Sequence, residues 1–294
     1  MDRTLAPDQF ARPPREVAGA SQARVLLASA KSQIGWLILG FGSIMFWGFT
    51  WNADVSGWRF RAGQAVSKTG QGLSCKDTGF SEGGSKHRRG TPIYETRYRY
   101  EVMGRNFEGA SFATGRCAFG PVAVEYLKAQ PEVSRIAGMR RRPLSAWALL
   151  TALIPATGIA LILAGLWEGR TRLRLLREGL VTTAKLIEKK WTNLRSNNRQ
   201  VYRLTFEYST PRGTGRVTTR TNRPGRFERE PAQLVFYDPE DLNRAVLAAS
   251  IPGSVTAGQG RQPVVRGSWA YLLLPGLVSV GNVWYVVHRF MPGS

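Results

Sequence analysis

Three uncharged apolar runs constrain this chain more than any other feature. They read IGWLILGFGSIMFWGFTW (34–51), SAWALLTALIPATGIALILAGLW (145–167) and GSWAYLLLPGLVSVGNVWYVV, within 267–288. Each is close to the ~20 helical residues needed to cross ~30 Å of hydrocarbon. A soluble core rarely buries so long a helix without a single charge. Tryptophan placement agrees. Trp147 and Trp167 bracket the second run, and at ~1.5 Å per residue their indoles stand roughly 30 Å apart, one in each headgroup layer. Trp36 and Trp51 flank the first run, and Trp269, Trp284 and Tyr285 the third. The first run has no small-x-small cleavage site after it and reads as a retained anchor.

The runs divide the chain into a polar, flexible N-terminal segment (1–33) and two intervening segments, 53–144 and 168–266. These carry most of the net charge of +21: sixteen Lys/Arg against eight Asp/Glu in the first, nineteen against nine in the second. Such surfaces suit anionic lipid headgroups, a basic residue near the membrane gaining about 1 kcal/mol. Nucleic acid is the other polyanion, but lipid is nearer to domains tethered between membrane helices. A solvated, Arg-rich surface without a ligand is the plain alternative.

Within these segments the hydrophobic period changes to two. In YETRYRYEV, Tyr94, Thr96, Tyr98, Tyr100 and Val102 share a face; in VYRLTFEY, Tyr202, Leu204, Phe206 and Tyr208 do. This is the alternation of half-buried antiparallel strands. Each strand enters a Gly-containing turn and another strand, a hairpin. A strand and a polar loop precede each hairpin; a strand, an acidic turn and a last strand follow. The order occurs twice, which predicts an internal duplication. The fold class is therefore an α+β membrane protein with three transmembrane helices and two small all-β modules. An SH3-like barrel is preferred for each, with an OB-like barrel or small sandwich as alternatives.

The second acidic turn lies in QLVFYDPEDLNRAVL. Tyr237 ends the strand, Asp238 can cap a helical turn, Pro239 suits its first position, and Arg244 lies near its C-terminal end. In the first copy Gln130, Pro131, Glu132 and Arg135 play weaker versions of these parts. Turn residues of this kind recur for backbone reasons alone, so the element reads as a join.

EGLVTTAKLIE from Glu178, YRLTFEY from Tyr202 and VFYDPEDLNRAVL from Val235 also carry a resemblance. They resemble the bacterial membrane family called domain of unknown function 3592, which has a Gly-x-Val start, a Tyr-rich central strand and a Val-x-Tyr-Asp/Asn-Pro turn ending in Arg-Ala-x-Leu. The match covers about 178–250 well and 63–137 weakly. The resemblance implies small β domains between transmembrane helices of the bacterial inner membrane. It implies no catalytic residues.

The usual catalytic constellations are thin. His87 sits in a Gly/Ser/Arg loop and His288 ends the last apolar run, with no zinc spacing and no nucleophile elbow. The chain reads as non-enzymatic and without cofactor, a binding or scaffolding protein; a hydrolase using His87 is the remote alternative. Lys189, Lys190, Trp191, Arg195 and Arg199 form a cationic loop with one aromatic, either a surface contact or an ordinary exposed loop. Ala148, Ala152, Ala156, Ala160 and Ala164 recur every four residues and predict a packing stripe, for a neighbouring helix or a homo-oligomer through the second span. Asn282 reads as interhelical glue.

Three spans put the two modules on opposite sides of the membrane. Lys/Arg near the span ends number eight inside and seven outside for an N-inside arrangement, so the positive-inside rule does not choose. Cys75 and Cys117, the two cysteines, both fall in the first module. In an oxidising compartment they would bridge, closing a loop of about forty residues for roughly 3–4 kcal/mol. Two separate reduced thiols are the alternative. A bridge would favour N-inside.

Overall fold

The computed structural model describes residues 6–62, 65–196, 198–229 and 232–291. The helices are α1 (Gly19–Leu27), α2 (Ala30–Gly48), α3 (Gly57–Ala62), α4 (Leu153–Glu178), α5 (Gly225–Arg229) and α6 (Leu273–Phe290). The strands are β1 (Ala65–Glu82), β2 (Thr91–Val102), β3 (Arg105–Thr114), β4 (Gly120–Leu127), β5 (Gln130–Ile136), β6 (Leu180–Ser196), β7 (Arg199–Thr210), β8 (Gly213–Thr221), β9 (Ala232–Tyr237), β10 (Ala245–Leu247), β11 (Ser254–Ala257) and β12 (Pro263–Arg266). Among the described residues, three helical segments are long and apolar enough to cross a membrane: Ala30–Asn52, Ala146–Glu178 and Trp269–Phe290. The second is longer than its apolar run. It opens as a 3-10 turn over Ala146–Ala152, and α4 continues past Trp167 as a charged helix to Glu178.

The chain forms two compact units, one of residues 40–156 and one of residues 6–39 with 157–291. In the first, five antiparallel strands run in the order β3-β2-β1-β4-β5. In the second the order is β10-β9-β6-β7-β8, the same sequence of partners read from the other edge. The long first strand of each sheet serves two neighbours. The early half of β1 pairs with β4 and its later half with β2; β6 does the same with β9 and β7. Even the irregularities coincide. The bulges at Gly72/Ser74 and Asp77/Ser81 fall at the same ladder steps as those at Leu186/Glu188 and Trp191/Arg195.

The sheets curl but neither closes into a barrel. In the first, Phe112 and Arg140 form one antiparallel bridge between β3 and the segment after β5, and Ser111 Oγ accepts from the Ile136 amide at 2.8 Å. The Arg140 guanidinium also clasps Glu82 at 2.5 Å. The core inside this sheet is Tyr98, Tyr100, Val102, Val124 and Ile136. Cys75 and Cys117 are joined in a disulfide with alpha carbons 5.9 Å apart.

The second sheet is buried on both faces at β9. Leu204, Phe206, Tyr208, Val235, Tyr237 and Leu247 fill the inside of the curl. Leu234, Phe236 and Val246 point the other way, against Leu173 and Leu176 of α4, Val255 and Val265. That is why QLVFY reads as an unbroken apolar run, as expected of a strand covered on both sides. The outer cover includes Phe10, Val17 and Val25, which lie in the segment expected to be polar and flexible. Phe10, Val17 and Val25 fold this segment onto the sheet. Phe10 meets Phe236 edge-on at 5.5 Å, and Arg15 donates to the carbonyls of Leu176 and Gly179 at the end of α4. A guanidinium there satisfies orphan carbonyls and opposes the helix dipole.

The close helix contacts are not on the alanine stripe. Ala156, Ala160 and Ala164 are exposed, whereas Gly158, Ile162, Gly165 and Gly169 are the buried line of α4. A Cβ on Gly158 would meet Leu39 N at 2.6 Å, and one on Gly165 would meet Ser32 N at 2.8 Å. Backbones this close need glycine on the contact line.

Candidate functional site

The acidic turns answer as joins, in a different geometry from the one expected. No helical turn forms at Asp238–Arg244. Asp238 Oδ1 accepts from the Glu240 amide at 3.0 Å, Asp241 Oδ1 from the Asn243 amide at 3.0 Å, and the Arg244 amide donates to Asp241 O at 2.8 Å. Pro239 O accepts from Arg212 at 2.8 Å, and Arg244 pairs with Asp241 at 3.1 Å. The Tyr208 hydroxyl donates to Leu242 O at 2.6 Å, pinning the loop to the sheet. Burial pushes the Tyr208 phenol up to about 12. In the first unit the connection is a tight hairpin, so Gln130, Pro131, Glu132 and Arg135 lie in β5 rather than in a turn. The anchoring bond nevertheless recurs, from the Tyr100 hydroxyl to Pro131 O.

The cationic loop is the far end of the β6–β7 hairpin. Lys189 pairs with Glu228 at 2.6 Å and stands 4.8 Å from the Tyr202 ring centre. Lys190 pairs with Glu188 at 2.6 Å. Trp191 lies across the ladder from Tyr202 and is 75% exposed. Arg195 and Arg199 face Gln200 and Ser196 in the same ladder. Two of the four cations are thus already paired. His87 is exposed in the short connection between β1 and β2. Among the described residues, no group of three or more His, Cys, Asp or Glu side chains is placed to hold a metal. Asn282 donates to Val278 O of its own helix at 2.8 Å.

The feature with the geometry of a binding site is a cleft of about 830 Å³ in the second unit. It lies along the seam where the curled sheet stops short of closing. One wall is Val217–Thr221 of β8, an edge strand paired only with β7. Opposite are Ala245 and Val246 of β10, then Ala249, Ser250 and Pro252. The floor takes Leu175 and Phe227, and the mouth carries Lys31, Trp167, Glu168, Arg172 and Arg220. Glu168 serves two cations, Lys31 and, at 3.7 Å, Arg172. The rim is therefore cationic.

The local sequence explains the opening. β5 runs seven residues and leads to Arg140, which bridges back to β3. β10 runs only three before a 3-10 turn, Ala248–Ser250, carries the chain away. The first unit ties its seam; the second leaves the corresponding edge unpaired. Of the cleft residues, sequence patterns marked Trp167 as a span end and Ala245 and Val246 as part of a turn motif, but not the cations Lys31, Arg172 and Arg220, which stand far apart in sequence. Compared with family models, curated proteins and solved structures, the chain matches none of them.

Proposed function

We propose that this chain is a non-enzymatic, multi-pass membrane scaffold that holds an extended, acidic segment of a partner along the open seam of its second module. One observation carries the reading: an unpaired edge strand, β8, lines a cationic cleft where the equivalent edge of the first sheet is tied. An edge strand exposes main-chain donors and acceptors that an incoming strand satisfies, while flanking pockets select its side chains. Lys31, Arg172 and Arg220 against one carboxylate favour an acidic occupant.

The matched strand order, registers and bulges support an internal duplication in which one copy keeps structure and the other keeps a binding edge. The resemblance to the 3592 family, resting on the residues quoted above, supports the bacterial inner membrane. The Cys75–Cys117 bridge supports an oxidising compartment for the first module and, with three spans, an N-inside chain.

A second reading is favoured by Lys31 in the first turn of α2 and the 73% exposed Trp167 where the second apolar run ends: the cleft takes an anionic lipid headgroup. Titrating the detergent-solubilised full chain with a fluorescein-labelled peptide of alternating Glu and Val separates the two. The scaffold reading expects saturable binding, none to the Lys/Val counterpart, and a loss of at least about ten-fold in a Lys31→Glu/Arg172→Glu variant. No binding of the acidic peptide, with phosphatidylglycerol retained at the cleft, would replace it by the lipid reading.

A further inference from the structure

A second cationic cleft, of about 480 Å³, lies wholly in the first unit. It is lined by Asn52, Asp54, Ser56, Arg59, Arg141 and Arg142, among others. Three guanidiniums facing one hollow would normally be neutralised by carboxylates. Here, among the described residues, none of the three is in an ion pair with a carboxylate. Arg135 holds Glu125 at 2.8 Å and Arg140 holds Glu82 at 2.5 Å. Both oxygens of Asp54 accept from other donors: Oδ1 from the Ser56 amide and hydroxyl, Oδ2 from the Arg141 amide at 2.8 Å. Among the described residues, the side-chain acceptors of the three arginines are neutral. Arg59 donates to Gln130 at 3.2 Å, Arg141 to Ser134 O at 3.1 Å, and Arg142 to Trp51 O. These bonds aim the side chains and leave most of their donors free.

The position of the cleft along the membrane normal can be read from its neighbours. Asn52 ends the first span, and Arg142 stands 5.7 Å from the Trp51 ring centre. Trp147, 79% exposed, opens the second span, and Trp58 is 65% exposed on the short helix that carries Arg59. Exposed tryptophans at span ends mark headgroup depth. A guanidinium cluster at that depth matches a phosphate, which accepts forked N–H donors as a carboxylate does.

We propose that Arg59, Arg141 and Arg142 form a binding site for the phosphate of an anionic phospholipid headgroup, separate from the seam of the second module. The test is native mass spectrometry of the full chain from mixed micelles of phosphatidylglycerol and phosphatidylcholine in equal amounts. Wild type should retain phosphatidylglycerol preferentially. Arg59→Gln should lower that preference about five-fold, and the Arg59→Gln/Arg141→Gln/Arg142→Gln variant should abolish it. The Lys31→Glu/Arg172→Glu variant should leave it intact. Equal retention by wild type and the arginine variants would overturn the site. So would loss of preference only in the Lys31/Arg172 variant. Displacement of the lipid by millimolar inorganic phosphate would assign the cluster to free phosphate instead. Should the triple variant fail to fold, Arg59→Gln decides alone, because Arg59 is only half-buried and, among the described residues, its side chain bonds to Gln130 at the surface.

Discussion

The Tyr208 hydroxyl is the smallest unit on which the second module's geometry depends. It crosses from β7 to hold Leu242 O at 2.6 Å, and with it the loop that positions β10. Tyr208→Phe leaves that carbonyl unpaired at a cost of about 1–2 kcal/mol, so the full chain in detergent should melt roughly 2–5 °C lower. The phenol's pKa is raised by burial to about 12 from an ordinary 10. The bias toward the neutral form is therefore complete below about pH 10 and lost as pH rises toward 12. Burial raises the Tyr98 and Tyr100 phenols as well, so ultraviolet titration should show several tyrosines ionising late, and Tyr208→Phe should remove one of them. The sequence showed Tyr208 as one of a row of inward tyrosines, because period-two alternation is local. It did not show the partner, because the Asp238–Arg244 segment was expected to coil into a helical turn and instead closes through side-chain-to-amide bonds.

Elements are where reading and structure diverge most instructively. Strand order and hairpins were legible, since alternation and turn residues are local signals. The N-terminal segment was not: three apolar residues, Phe10, Val17 and Val25, suffice to cover an outer face, too few to mark a period. Within the chain, the α4 contact line runs through Gly158, Gly165 and Gly169, where backbones approach closely, and Ala156, Ala160 and Ala164 of the alanine stripe face outward. Gly158→Leu should therefore destabilise by about 2–3 kcal/mol or abolish folding, while Ala160→Leu, on an exposed face, should leave the detergent melting profile within about 1 °C. The tied seam of the first module carries its own pH dependence. The Arg140 guanidinium holds the Glu82 carboxyl below its ordinary value, against an opposing effect of burial. A depressed carboxylate stabilises above the ordinary value of 4.5 and loses that contribution as pH falls through the folded value. Acid-induced exposure of β3 to proteolysis should thus begin at higher pH in Glu82→Gln than in wild type. Identical profiles would show that the clasp contributes nothing.

For the whole molecule, three apolar helices were plain in the sequence because membrane-spanning length and freedom from charge are properties of contiguous residues. The clefts were not, because each gathers residues from distant segments around an edge that did or did not close. On the proposed reading the two modules lie in opposite compartments, the bridged one outside and the one with the open seam inside. Periplasm-active and cytoplasm-active reporters fused in turn at residues 85 and 195 test this most directly. The fusion at 85 is expected to be active only as the periplasmic reporter and the fusion at 195 only as the cytoplasmic one. Activity of the same reporter at both positions would contradict it.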